Sequence, residues 1–329
     1  MRFCRLLGLT LVTFSGATGA TVPPPPNNRP PRSQLVVSVD VGTESTRAAV
    51  FDASGALLGL AAVKHATDYP RPGWAEQDPA AWWSGLGEAV RGAVAESGCD
   101  PASIGCLCLA TTSCTVLALD DAGVPLRPAL LWMDARSAVQ AAEIMARGAG
   151  DPALSVNCGG AGPLSAEWML PKALWLKENE PTVWAAAATV CECQDWLNFK
   201  LTGELVAGGC NVATRWHCDG VEALRPAEDG GEGGFGGQPT SLLARVGLSD
   251  LGAKWPRRCV AMGAPIGPLT SAACARLGLA PGVLLVQGGA DAFVAMVGMG
   301  AVGGGVLGLV TGSSHLQVRV AKFRIRPGL

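Results

Sequence analysis

The stretch Gln34-Leu-Val-Val-Ser-Val-Asp-Val-Gly-Thr-Glu-Ser-Thr-Arg-Ala-Ala-Val-Phe51 decides the fold. Residues 34–41 form an apolar run rich in β-branched side chains, 46–52 a second and 56–63 a third, joined by Gly42-Thr-Glu-Ser45 and Ala53-Ser-Gly55. Connections this short join antiparallel neighbours only, because a parallel crossover needs a dozen or more residues. The stretch therefore predicts a three-stranded meander.

Downstream, Asp78-Pro79 offers an N-cap followed by proline at the first helical position, and Trp82, Leu86, Val90 and Val94 recur every four residues up to Gly98. That pattern predicts an amphipathic helix. Residues 104–110, 116–119 and 129–132 read as strands, with a turn at Asp120-Asp-Ala-Gly123. The period then becomes helical over 135–147, 168–178, 182–190 and 194–201, the last closed by Thr202-Gly203, which reads as a helical insertion or cap. The Gly-rich tract 230–237 reads as a surface loop. A buried strand over 284–286 runs into Gly288-Gly-Ala-Asp291 and a small-residue helix over 292–299, and 306–311 and 315–320 form a hairpin.

Of the 329 residues, 49% are apolar and 16% charged, with a net charge of -2. Such a chain is core-rich, and it lacks the general basic face that holds nucleic acid by its phosphates. Twelve Cys are too few for a disulfide scaffold in a chain of this length, and the pairs Cys106/Cys108 and Cys191/Cys193 sit in apolar runs, reading as buried thiols. The three His are not at zinc-site spacing. Before the first acid, Asp40, come Arg2, Arg5, an apolar run over 6–14 and small residues over 15–20. This leader suits a secretory signal or a plastid-like organelle transit peptide, while an untargeted leader leaves the protein in the cytoplasm. The run is too short to span a bilayer, so no membrane partner is expected.

Several residues have chemistry to offer. In the turn from Asp40 to Ser45, Gly42 permits close approach of backbone to a polyphosphate, Thr43 and Ser45 bring hydroxyls, and Asp40 suits magnesium; an ordinary hairpin is the equal alternative. Thr311-Gly312-Ser313-Ser314 is a second turn of the same kind. Thr111, Thr112 and Ser113 follow a strand end, as does Asp134, and these groups serve either as polyol contacts or as turn hydroxyls and a cap. Asp291 precedes a helix and is also a natural N-cap.

The order of these parts resembles the FGGY carbohydrate kinases of the sugar kinase, actin and Hsp70 superfamily. Asp40-Val-Gly-Thr43 is similar to the family's first phosphate turn, Trp132-Met-Asp-Ala-Arg136 to its W-x-D-x-R signature, and Gly288-Gly-Ala-Asp291 to its G-G-x-D. Pro171-Lys-Ala-Leu-Trp-Leu176 and 194–203 also look like family segments, and pentulose kinases resemble the chain most.

The resemblance implies an α/β ribonuclease H-like fold, with a leader over 1–33, a sugar-binding domain over 34–282 carrying a helical insertion, and the start of a nucleotide-binding domain over 283–329. It implies ATP-dependent phosphorylation of a pentulose such as D-ribulose, with ATP and Mg2+ as cofactors and a small sugar as partner. Asp291 would then be the base, and Asp40 the metal residue. Asp40, Gly42, Thr43, Ser45, Gly312, Ser313 and Ser314 would line the phosphates, and Thr111, Thr112, Ser113, Trp132, Asp134 and Arg136 the sugar. Arg136 has an ion-pair role as its alternative. The family's adenosine segment lies well beyond its second phosphate turn, whereas residues 322–329 no longer look like the family, so a shortened second domain is expected. A sugar-binding remnant or pseudokinase is the first alternative. An actin- or Hsp70-like ATPase is the second, but it has no need of Trp132 to Arg136 or of the G-G-x-D segment.

Overall fold

A computed structural model describes residues 35–156, 164–225, 235–311 and 315–319. The chain divides into two compact units, residues 33–290 and a second containing Asp291 onward. The leader, Gly312 to Ser314 and most of the Gly-rich tract lie outside the described residues.

The meander forms as expected. β1 (Leu35–Val41), β2 (Ser45–Phe51) and β3 (Leu57–Lys64) pair antiparallel, with Asp40 opposite Arg47. A short β4 (Glu76–Gln77) precedes α1 (Pro79–Ser97). Asp78 caps α1 by accepting from the Ala80 N–H, and Gly98 ends it at φ 63°, a left-handed conformation natural to glycine. Trp82, Leu86 and Val90 bury its inner face against the sheet. β5 (Ile104–Thr111) then lies parallel to β1, giving two neighbouring strands whose carboxyl ends finish together at Val41 and Thr111.

The middle of the unit comprises β6 (Val116–Leu119), β7 (Ala129–Leu130), α2 (Ala138–Arg147), α3 (Met169–Asn179), α4 (Pro181–Ala186), β8 (Thr189–Glu192), α5 (Cys193–Thr202), β9 (Val206–Gly208), α6 (Gly209–Arg215), α7 (Gly220–Ala223), α8 (Thr240–Arg245), α9 (Leu251–Lys254) and β10 (Arg258–Val260). It is not purely helical. β4, β7, β6 and β8 make a four-stranded antiparallel sheet, around which a second hydrophobic core collects Trp175, Trp216 and Trp255. The helix expected over 182–190 is therefore corrected to α4 followed by β8. Residues 189–192 pair with β6, and that tertiary pairing overrides the helical period. The expected surface loop over 230–237 is corrected at its end, where Phe235 is buried and stacks on Trp255.

β11 (Pro265–Pro268), α10 (Ser271–Leu277) and β12 (Leu284–Ala290) complete the main sheet, in the order β11-β12-β5-β1-β2-β3. β12 runs parallel to β5 and brings Ala290 level with Thr111. The expected boundary at 282/283 thus moves to 290/291, because β12 is a strand of the first sheet. The thiols of Cys191 and Cys193 are buried, as expected, whereas Cys106 and Cys108 are half-buried; burial still pushes the Cys108 thiol up to about 11. In the second unit, α11 (Asp291–Gly298) is followed by the hairpin of β13 (Leu307–Thr311) and β14 (His315–Arg319). Among the described residues no helix is long and apolar enough to cross a membrane.

Candidate functional site

In sheets of this kind, ligands bind outside the carboxyl ends of the parallel strands. Here those ends are Val41, Thr111 and Ala290 on three adjacent parallel strands, and most expected site residues lie immediately before or after them.

Asp40 is held from one side. Arg47 donates to its Oδ2 at 3.0 Å, while Oδ1 is buried with no hydrogen-bond partner among the described residues. Burial raises the Asp40 pKa, and the Arg47 charge opposes that rise. One carboxylate oxygen tied to a guanidinium and one left open suits a divalent cation that keeps most of its own waters. The turn that follows is pinned at several points. The Gly42 N–H donates to the Ser45 carbonyl at 3.1 Å, His65 Nε2 lies 3.0 Å from the Gly42 carbonyl, and Gln77 Nε2 donates to the Thr43 carbonyl at 2.6 Å. Trp132 Nε1 donates to Thr43 Oγ1 at 3.0 Å, so Thr43 and Trp132, 89 residues apart in the chain, meet as one structure. With its oxygen already accepting, the Thr43 hydroxyl keeps a proton to donate.

The expected sugar contacts sort by which way they face. Ser113 is half-buried, and Thr112 is buried, 7% exposed, with its hydroxyl 2.9 Å from that of Thr115. Thr111 is wholly buried and donates to the Thr112 carbonyl, and Ser45 is buried within β2, so both are corrected from ligand contacts to interior groups.

Asp134 and Arg136 are corrected more firmly. Asp134 has no exposure, and its Oδ1 accepts from Arg136 N at 3.0 Å and Nε at 2.8 Å, while Oδ2 accepts from Ala75 N at 2.6 Å and Arg136 Nη2 at 2.7 Å. Arg136 Nη1 lies 2.7 Å from Glu76 Oε1, and its guanidinium covers the Trp74 ring at 3.7 Å. Both side chains lie wholly in the interior, and each Asp134 oxygen already accepts two hydrogen bonds. Together they hold the Trp132 segment to β4.

The first glycine of Gly288-Gly-Ala-Asp291 is required by space. A Cβ at Gly288 would sit 1.7 Å from the Leu109 carbonyl oxygen, at a point where the β12–β5 register shifts. That same carbonyl accepts from Gln194 Nε2 at 2.8 Å, and buried amides continue the chain through Gln287 to Asn198. Asp291 itself opens α11, and its Oδ1 accepts from the Ala292 N–H at 2.7 Å. Gly312, Ser313 and Ser314 lie outside the described residues, so their phosphate role stays an expectation.

Sequence reasoning missed the groups behind these loops. Gln77, Lys172, Glu192 and Asp195 are all buried. Burial pushes Glu192 up to about 7; Asp195 goes up to about 8 through burial and the neighbouring Glu192 charge. For Lys172, Glu192 and Asp195 the signal was present as charged residues among apolar ones, where an acid or lysine is rare unless partnered.

A family model described as the FGGY family of carbohydrate kinases, N-terminal domain, matches residues 35–219. The chain is 28% identical over 313 residues to the ribulokinase of Geobacillus thermodenitrificans, covering 85% of this chain and 52% of the relative. It is 35% identical over 191 residues to the xylulose kinase of Streptomyces coelicolor, covering 57% and 38%. The crystal structure of a xyloylose kinase from Brucella ovis is similar at a TM-score of 0.68 and 27% identity, over 82% of this chain and 51% of that one. The chain thus spans about half the length of the ribulokinase it matches. With the family model matching residues 35–219, more than half its length, the chain belongs to the FGGY family of carbohydrate kinases.

Proposed function

We propose that this protein takes part in ATP-dependent phosphorylation of a pentulose such as D-ribulose. The observation that carries the reading is the joining of Thr43 to Trp132 beside the carboxyl ends of β1 and β5, which puts a phosphate-type turn and a sugar-type loop in one place. The half-buried Trp132 offers an apolar face to sugar C–H groups, and Ser113 and Thr112 offer hydroxyls. Phosphoryl transfer asks a protein mainly for positioning and charge neutralisation, with a carboxylate near the attacking hydroxyl.

In this reading Asp291 accepts the proton of the sugar hydroxyl as that oxygen attacks the γ-phosphorus, the bond to the β-phosphate oxygen breaks and ADP leaves, while Thr43 and the turn N–H groups steady the phosphates. Gly312, Ser313 and Ser314 do the same from the second turn. Magnesium, held through Asp40 Oδ1 directly or by way of water, neutralises phosphoryl charge when bound. The names of the ribulokinase and xylulose kinase relatives support the pentulose class.

The test is thermal stabilisation of the chain by D-ribulose, D-xylulose, glycerol and Mg-ATP, each added alone. A ligand at 100 times its Kd stabilises by about 2.7 kcal/mol, which is a rise of roughly 5 °C or more for a unit of this size. D-ribulose is expected to give such a rise, and a response to Mg-ATP with none to any polyol would overturn the sugar reading in favour of an ATPase.

A further inference from the structure

Three backbone groups in the candidate sugar loops are gripped from the interior. Cys114, immediately after Ser113, has φ 67°, a left-handed conformation that a side-chain-bearing residue keeps only where its surroundings enforce it. Its N–H donates to Glu192 Oε2 at 2.7 Å, and its carbonyl accepts from Lys172 Nζ at 2.6 Å. The same ammonium donates to the carbonyl of Leu131, the residue before Trp132. Glu192 is itself fixed by Trp216 Nε1, which donates to its Oε1 at 2.6 Å. Lys172 and Glu192 have no exposure, and Cys114 is 2% exposed.

Buried charges are a poor way of stabilising a fold, since apolar side chains of similar volume do as well or better. Here a lysine and a glutamate are both kept in the interior, and both hydrogen bonds of the lysine and one of the glutamate's go to main-chain atoms next to Ser113 and Trp132. What such bonds supply is position. We propose that Lys172 and Glu192 are positioning residues for the polyol site: Glu192 and Lys172 hold Cys114 by its two ends, and Lys172 ties that loop to Leu131, fixing Ser113 relative to Trp132. The proposal rests on the sugar reading of this site only for its consequence on ligand affinity; the grip is a property of the chain alone.

The test combines hydrogen–deuterium exchange with D-ribulose titration of the full chain. In Lys172→Met, exchange is expected to rise at least tenfold in residues 112–115 and in 131–133, with α1 unchanged, and the D-ribulose Kd to rise at least tenfold. Glu192→Gln, which keeps the shape, is expected to release 112–115 while leaving 131–133 protected, because Glu192 touches only the first loop. A merely structural role would raise exchange throughout, α1 included. That uniform rise, unchanged exchange in both variants, or a wild-type Kd in a variant whose loops are released would overturn the proposal. Local release in a chain whose wild type binds no pentulose would support the grip and overturn the sugar reading instead.

Discussion

Replacing Asp134 by Asn separates a sugar contact from an internal brace. The wild-type carboxylate accepts four hydrogen bonds, two on each oxygen, from Arg136 and the Ala75 N–H, in a place with no exposure. Asn offers one acceptor oxygen and one NH2. Whichever way the amide turns, two of the four bonds are lost and an NH2 faces two donors. Among the described residues the guanidinium of Arg136 then keeps Glu76 as its only carboxylate partner, in an interior where removing one member of an ion pair costs about 3–5 kcal/mol. The surviving Glu76 contact puts the expected loss near about 3 kcal/mol, which lowers the melting temperature by roughly 6–10 °C for a unit of this size. Thermal unfolding followed by tryptophan fluorescence reads this directly, because Trp74 packs on Arg136. A variant melting within about 1 °C of wild type while losing sugar-induced stabilisation would refute the reasoning and restore Asp134 as a ligand residue.

Other expectations follow from the same geometry. Gly288→Ala drives a methyl into the Leu109 carbonyl at the β12–β5 contact, so the variant is expected in the insoluble fraction or with melting lowered by more than about 10 °C; wild-type melting would contradict the contact. Stability should fall as pH rises from about 5 to about 8: the folded chain holds protons on Glu192 and Asp195 that unfolded carboxyls release near pH 4, so ionising them in place costs free energy across that window. Glu192→Gln should flatten that slope, and an unchanged slope in melting temperature against pH would count against the buried protons. Trp132→Phe removes the N–H donated to Thr43 Oγ1 while keeping an apolar ring, and should cost about 1 kcal/mol of stability with weaker D-ribulose binding in calorimetry. Asp291→Asn should lower the rate of ATP-dependent pentulose phosphorylation by about 10²–10⁴ without changing sugar-induced stabilisation, and an active Asn variant would remove Asp291 from the chemistry.

How far the sequence was readable depended on how local each cause was. The meander, α1 with its Asp78 and Gly98 caps, and α5 ending at Gly203 rest on turn residues, caps and periods within a few positions, and all formed close to their expected bounds. β8 was misread because a four-residue strand inside an apolar run is distinguished from helix only by its partner β6, about 70 residues earlier. The same limit applied to the site. Asp40, Thr43, Ser113 and Trp132 carried signals of turn or strand end, whereas the inward turn of Asp134 and Arg136 depends on Ala75 and Glu76, some 60 residues away. Lys172 lay within a recognised segment without an assigned role, since its partners are main-chain carbonyls that no side-chain pattern reveals.

The most direct test of the central claim is a crystal structure of the chain with D-ribulose bound. The sugar should lie outside the carboxyl ends of β1 and β5, with hydroxyls within hydrogen-bond distance of Ser113 and a C–H face on the Trp132 ring, while Asp134 and Arg136 remain paired behind it. D-ribulose bound elsewhere on the chain, or in contact with Asp134 after its pair with Arg136 has opened, would contradict the account.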